Sequence, residues 1–246
     1  MKDIRQHFES AGLGDIADAV IADTRSEIWI TAEPADAWEL GQSRIGGTPD
    51  LAPGTAWPRH RVTVDDHHAS LALPFVAQLD LATVAPWQSV LPRTGHLVLF
   101  ADQSTVLGEI DGYPYCASAC LFSLAGELHR VEAPTTPESF PGRALSFAQG
   151  RSFPDANDLG LDGDQWQRYT TAVAELAQPE PRHALLARPE YGSIAIVPPP
   201  GYTALLRVGS DSEINWGDAA WITFAIPDAA LAAHRFDEVR AFRWIG

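Results

Sequence analysis

Cysteine and positive charge are the two things this chain has little of, and each shortage excludes chemistry. Two cysteines, Cys116 and Cys120, stand in 246 residues. They match no Cys-x-x-Cys or Cys/His zinc spacing, which excludes a disulfide framework and a cysteine-built metal site. Both are expected to be reduced structural thiols. Lys and Arg number 17 against 32 Asp and Glu, a formal charge of −15. That field repels a phosphate backbone, and no Lys/Arg-rich run makes a local exception, so nucleic acid and anionic membrane are poor partners. No stretch approaches the ~20 apolar residues that span a bilayer, and Met1-Lys-Asp-Ile-Arg-Gln-His-Phe-Glu9 lacks the apolar centre of a signal peptide. A cytoplasmic location is expected.

Catalytic signatures are missing too. Gly41-Gln-Ser43-Arg-Ile-Gly46 has the wrong spacing for a nucleophile elbow. Gly46-Gly47 lacks both the Lys-Ser/Thr of a phosphate loop and the third glycine of a dinucleotide fingerprint, so tight-turn glycines are the better reading. Asp65-Asp-His-His68 offers oxygen and imidazole ligands, but adjacent side chains point apart and a solvated loop is favoured. Asp155-Ala-Asn-Asp-Leu-Gly160 starts like a calcium loop, yet Leu159 holds the fifth place and Trp166 the twelfth, where a bidentate Glu belongs. No metal and no cofactor is expected.

What is present is a globular, aromatic-rich composition. Hydrophobic residues make up 46% of the chain, with eight Trp and ten Phe, and charged residues only 20%. A chain this long buries a sizeable core unaided. Ile4, Phe8, Ile16 and Val20 recur near helical spacing but are interrupted by Gly12 and Gly14, which predicts two short helices or one broken helix. Strands are expected at 27–31, 73–80, 96–100, 119–124, 127–131, 143–147, 193–197, 203–208, 221–226 and 237–242. A hairpin is expected around Ala125-Gly126, and the polar run from Thr63 to Ala69 reads as an exposed loop. Asp80 reads as the N-cap of a short helical turn, and 164–177 as the clearest helix, capped by Asp162 or Asp164 and stopped by Pro179. The fold class is α+β, predominantly β: a compact antiparallel-sheet-rich domain with a few peripheral helices. A faint echo between about 27–150 and 183–243 leaves an internal duplication of the single 1–246 unit open.

Ser43-Arg-Ile-Gly-Gly-Thr-Pro49, Trp57-Pro58, Phe75-Val-Ala-Gln-Leu-Asp-Leu81 and Leu91-Pro-x-x-Gly-His-Leu-Val-Leu-Phe100 together resemble the DUF1963, or YwqG-like, family. His183-Ala-Leu-Leu-Ala-Arg-Pro189, Trp216-Gly-Asp-Ala-Ala-Trp-Ile-Thr-Phe-Ala-Ile226 and Phe236-Asp-Glu-Val239 extend the resemblance almost to the C-terminus. Ala187, Arg188, Arg207 and Ala220 depart from the family pattern. The resemblance implies a β-rich, mainly bacterial domain with no established reaction, some members of which stand in suspected toxin–immunity gene neighbourhoods.

Arg44, Gln78, Asp80, His183 and Asp218 are polar residues in or beside apolar runs. Buried, each needs a partner or costs of order 1–3 kcal/mol, so one expectation is a mutually satisfied internal network. The sharper one is a cleft between the two halves, lined by these five with Trp57 and Trp216 as walls, that binds a ligand or partner. Two functional classes follow. One is a non-catalytic binding or protein-interaction module, immunity-like, whose acidic surface suits a basic protein partner. The other is a small-molecule-binding or hydrolytic domain in which His183 works with Asp80 or Asp218 as an acid–base pair.

Overall fold

The computed structural model describes residues 3–35, 37–64, 67–110, 112–124, 126–134, 140–176, 183–188, 190–191, 196–211, 213–217 and 221–244. Ten strands close on themselves as an antiparallel barrel. In chain order they are β1 (Arg25–Pro34), β2 (Arg44–Ile45), β3 (Phe75–Asp80), β4 (His96–Ile110), β5 (Tyr113–Ser123), β6 (Arg143–Ser152), β7 (His183–Leu185), β8 (Tyr202–Gly209), β9 (Trp221–Pro227) and β10 (Arg240–Trp244). Around the barrel the order is β1-β6-β2-β3-β4-β5-β10-β9-β8-β7, and β7 pairs back onto β1. Closure removes the open edges that a sheet of this size would otherwise expose. Strands from 27–150 and from 183–243 both enter this one barrel.

Period-two alternation decides which residues fill it. Along β1, Ile28 and Ile30 face the lumen and Trp29 faces out; along β4, Leu97, Leu99 and Ala101 face in and Val98 and Phe100 out. The lumen is packed with aliphatic and aromatic side chains, among them Leu79, Leu185, Val208 and Phe224, each contributing roughly 1.5–3 kcal/mol by leaving water. Both ends are stoppered. At one end stand α3 (Leu81–Val84) and α5 (Asp228–Ala232), which insert Leu81, Val84, Ala230 and Leu231; at the other, the loop after β8 inserts Ile214 and Trp216.

A separate helical layer has its own small core. Helices α1 (Ile4–Ser10), α2 (Ala17–Asp23) and α4 (Gly163–Leu176) gather Phe8, Leu13, Val20 and Tyr169, with Phe8 stacked on Tyr169 at 5.6 Å. Asp162 and Gln165 cap α4 reciprocally: Gln165 N donates to Asp162 Oδ1 (2.8 Å) and Asp162 N to Gln165 Oε1 (3.3 Å). Among the described residues no helix is long and apolar enough to cross a membrane.

Three expectations need correction. The segment read as a loop at 63–69 belongs to a hairpin arm, Arg59–Val64 paired with His67–Ala72, although Asp65 and Asp66 themselves lie outside the described residues. Register puts Val62, Ala69 and Leu71 on one face and Arg59, Arg61 and Ser70 on the other, but the intervening Thr63-Val-Asp-Asp-His-His68 run reads as polar, which hid the pairing. The two strands expected to form a hairpin around Ala125-Gly126 do not pair with each other among the described residues, which leave out Ala125. Instead β5 pairs with β4 and β10, and the two-residue strand His129–Arg130 pairs with Asp50–Leu51. The last strand begins at Arg240, because Phe236–Glu238 forms a 3-10 turn.

Candidate functional site

Two buried polar clusters lie on opposite faces of the barrel wall. The first grows from β2. Ile45 points into the lumen, so its neighbour Arg44 points out, under the loop that leads from β1. There Arg44 Nη2 lies 2.9 Å from Asp50 Oδ2, and neither side chain is exposed. Arg44 Nε also donates to Thr48 O (2.9 Å) and Nη1 to Gln42 O (3.0 Å). Asp50 is the hub. It accepts from Gly41 N (2.9 Å), Arg130 Nε (3.1 Å) and Gln78 Nε2 (3.3 Å), and its own N–H donates to Gln78 Oε1 (2.8 Å). Arg44 and Arg130 both approach the Trp38 ring, at 5.4 and 5.7 Å. Burial pushes the Asp50 carboxyl up, but these hydrogen bonds and cations hold it below the ordinary carboxylate range. The same burial lowers the Arg44 guanidinium, against the pull of Asp50.

The glycines of the 43–50 segment belong to this architecture. Gly46 has φ +68°, and a Cβ there would lie 2.3 Å from the carbonyl oxygen of Pro141. Its N–H donates to Val76 O and that of Gly47 to Phe140 O, both at 2.8 Å, so the 140–142 backbone rests directly on the turn.

The second cluster faces the lumen at the end stoppered by Trp216. Register places His183 opposite Ile30 and Val208, and Arg143 opposite Ile45, all lumen-facing. Asp211, in the loop beyond β8, approaches both: Oδ2 is 2.6 Å from Arg143 Nη1 and 3.6 Å from His183 Nε2. Its Oδ1 accepts from the Glu213 and Ile214 amides (2.8 and 2.9 Å), which ties the loop into a tight turn. Burial raises the Asp211 carboxyl, but these amides and Arg143 outweigh it, and the group titrates below the ordinary range. Gly209 N donates to His183 Nδ1 (3.2 Å), and Nε2 lies 3.5 Å from Arg143 Nη2 and 3.6 Å from Asp211 Oδ2, so the ring is held from both sides. Phe140 packs edge-on against Trp216 at 4.9 Å and helps close the mouth.

The expected shared cleft is therefore not what these residues build. Arg44 and Gln78 meet each other on the outer face through Asp50, whereas His183 and Trp216 lie inside. Trp57 lies outside, over β3 to β5, donating to Leu73 O (2.9 Å) and packing on Phe100 at 5.2 Å. Asp80 caps α3 by accepting from Ala82 N (3.0 Å). It ends β3 at the rim away from Asp211, as the chain of strand registers requires, so it is no partner of His183. Asp218 lies outside the described residues. Sequence reasoning missed Asp50, Arg130, Arg143 and Asp211. Asp50 closes the Gly47-Thr-Pro-Asp50 segment, and a buried Arg44 in need of a carboxylate was the signal that pointed to it. Among the described residues no three His, Cys, Asp or Glu side chains converge to hold a metal ion.

No curated protein matches the chain. A match to a known family falls on the stretch that builds the Arg44–Asp50–Gln78 cluster and the three strands behind it, ending within β5. Over residues 43–117 the chain matches the family described as a domain of unknown function, DUF1963.

Proposed function

We propose that the protein is a non-catalytic binding module whose acidic surface receives a basic protein partner in the bacterial cytoplasm. The observation that carries this reading is the distribution of charge. Residues 3–23 and 153–176, the helical layer, hold ten Asp and Glu against two Arg, more than half of the net charge in less than a fifth of the chain. A field so concentrated steers encounter with a basic surface and raises its association rate more than its final affinity. The His183 ring, held between Gly209, Arg143 and Asp211, and the aliphatic and aromatic side chains that pack the lumen support the same reading. Neutralising a basic toxin, as an immunity protein does, is the biological form the reading takes.

The test is affinity capture with the wild-type chain and with a Glu9→Gln/Asp164→Asn/Glu175→Gln variant. All three side chains are exposed on the helical layer. A basic partner should be held at an ionic strength of about 0.05 M, released at about 0.5 M, and bound several-fold more slowly by the variant. Equal binding by both proteins at both salts sinks the proposal, as does recovery of no specific protein at low salt.

A further inference from the structure

A cleft of about 360 Å³ opens on the outside of the barrel, where the Asp50–Thr55 loop faces the turn after α5 across the end of β5. That volume lies within the range of small-molecule sites. It opens because β10 pairs only with Tyr115 and Cys116 of β5, so the strand's far end runs on beside the 234–237 turn instead of another strand. The two faces of the cleft differ in chemistry. Its floor is apolar: Leu51, Val98 and Leu121. Its rim carries Thr55, Ser123, His234 and Asp237.

The charges decide what the rim accepts. Asp50 also lines the cleft, but its carboxylate is consumed by Arg44, Arg130, Gln78 and Gly41. Asp237 is different. Its backbone carbonyl accepts from Arg240 Nη1 (3.2 Å), while its exposed carboxylate has no partner among the described residues. Among the described residues no Lys or Arg lines the cleft. An anionic head group would meet the Asp237 carboxylate, with only the neutral Thr55 and Ser123 hydroxyls and the His234 ring to bond it; a cationic donor would meet an open acceptor. Phe122 and Phe236, 5.0 Å apart, and the His234 ring stacked on Phe236 at 6.2 Å add aromatic surface beside it.

We infer that this cleft binds a small amphipathic amine, with its ammonium on the Asp237 carboxylate and its apolar body on Leu51, Val98 and Leu121. The site is separate from the acidic helical layer and stands or falls independently of a protein partner. Hexylammonium, hexanoate and hexan-1-ol share one apolar body and differ in the head, so they make a matched probe set for amide NMR titration of the full chain. Hexylammonium should shift the amides of Thr55, Ser123, His234 and Asp237 and saturate at least about tenfold below hexanoate, a difference of about 1.4 kcal/mol. Asp237→Asn alters one exposed side chain. It should leave the melting temperature unchanged and bring hexylammonium down to the level of hexanol. Thr55→Trp, which fills the rim from the other side, should block both. Hexanoate binding as tightly as hexylammonium, shifts elsewhere in the chain, or wild-type affinity in Asp237→Asn each overturn the assignment.

Discussion

Arg44 and Asp50 are six residues apart and form a salt bridge of 2.9 Å in which neither side chain is exposed to solvent. A buried pair of this kind is weak evidence for net stability, because desolvation offsets much of the attraction. Breaking it from one side is another matter. Asp50→Ala strands the Arg44 charge, leaves the Gly41 N–H without its acceptor and leaves Gln78 Nε2 with Gln42 O alone. The expected loss is about 3–5 kcal/mol in urea unfolding. Replacing both members, as in Arg44→Met/Asp50→Leu, should cost clearly less than the two single changes added together. Strict additivity would show that the pair is not coupled.

Four described carboxylates, Asp23 among them, are held below the ordinary range, and three of them share a largely buried setting. Burial pushes Asp50, Asp102 and Asp211 up, but hydrogen bonds and neighbouring cations leave each below the ordinary carboxylate range. For Asp102 the donors are Ser104 and Thr105, with His60 alongside. A carboxylate whose folded pKa is depressed contributes stability that is complete above its unfolded value of about 3.9 and is lost as pH falls through the folded value. The urea midpoint should therefore hold between pH 7 and 5 and collapse below about pH 4. Asp211→Asn should be less stable at neutral pH and show a shallower acid limb. An acid limb as steep as that of the wild type would remove Asp211 from this account.

How much of this was legible in the sequence depends on how local each interaction is. The Asp80 cap reads directly from the chain, and the α4 cap reads as Asp162 or Asp164, since each needs only residues within three positions; the choice of Asp162 and the return bond to Gln165 come from the structure. Barrel strands with a buried face also read well, since apolar alternation marks them. The Asp50 hub does not, because its partners arrive from 9 residues away at Gly41 and 80 at Arg130, brought there by register rather than by spacing. His183 and Asp211 meet only once β7 has paired with β8. The His183–Asp80 pairing fails for the same reason, since nothing in a single sequence says that β3 ends at the opposite rim.

Burial raises both thiols. Cys116 is pushed up to about 11 and Cys120 further, because each sits in apolar surroundings that disfavour a thiolate. Neither is poised as a nucleophile at neutral pH. Ellman's reagent at pH 8 should titrate no thiol in the folded protein and two in guanidinium chloride. Rapid labelling of either cysteine without denaturant would contradict the buried placement.

Gly46 and Gly54 separate backbone freedom from close packing, because both adopt left-handed φ, +68° and +77°. Around Gly54 an added Cβ meets nothing within 4 Å, so Gly54→Ala carries only the conformational cost, about 1–2 kcal/mol. At Gly46 the Cβ would strike the carbonyl oxygens of Pro141 and Phe140 at 2.3 and 2.6 Å, and backbone cannot rotate away as a flexible side chain can. Gly46→Ala should therefore lose roughly 3 kcal/mol or more. The displaced segment carries Phe140, packed on Trp216, and runs into Arg143, bound to Asp211. The damage should thus reach the lumen cluster, as a change in near-ultraviolet circular dichroism that Gly54→Ala does not produce. Equal stabilities and equal spectra for the two variants would mean that the 43–50 turn is set by φ alone and not by its contact with 140–142.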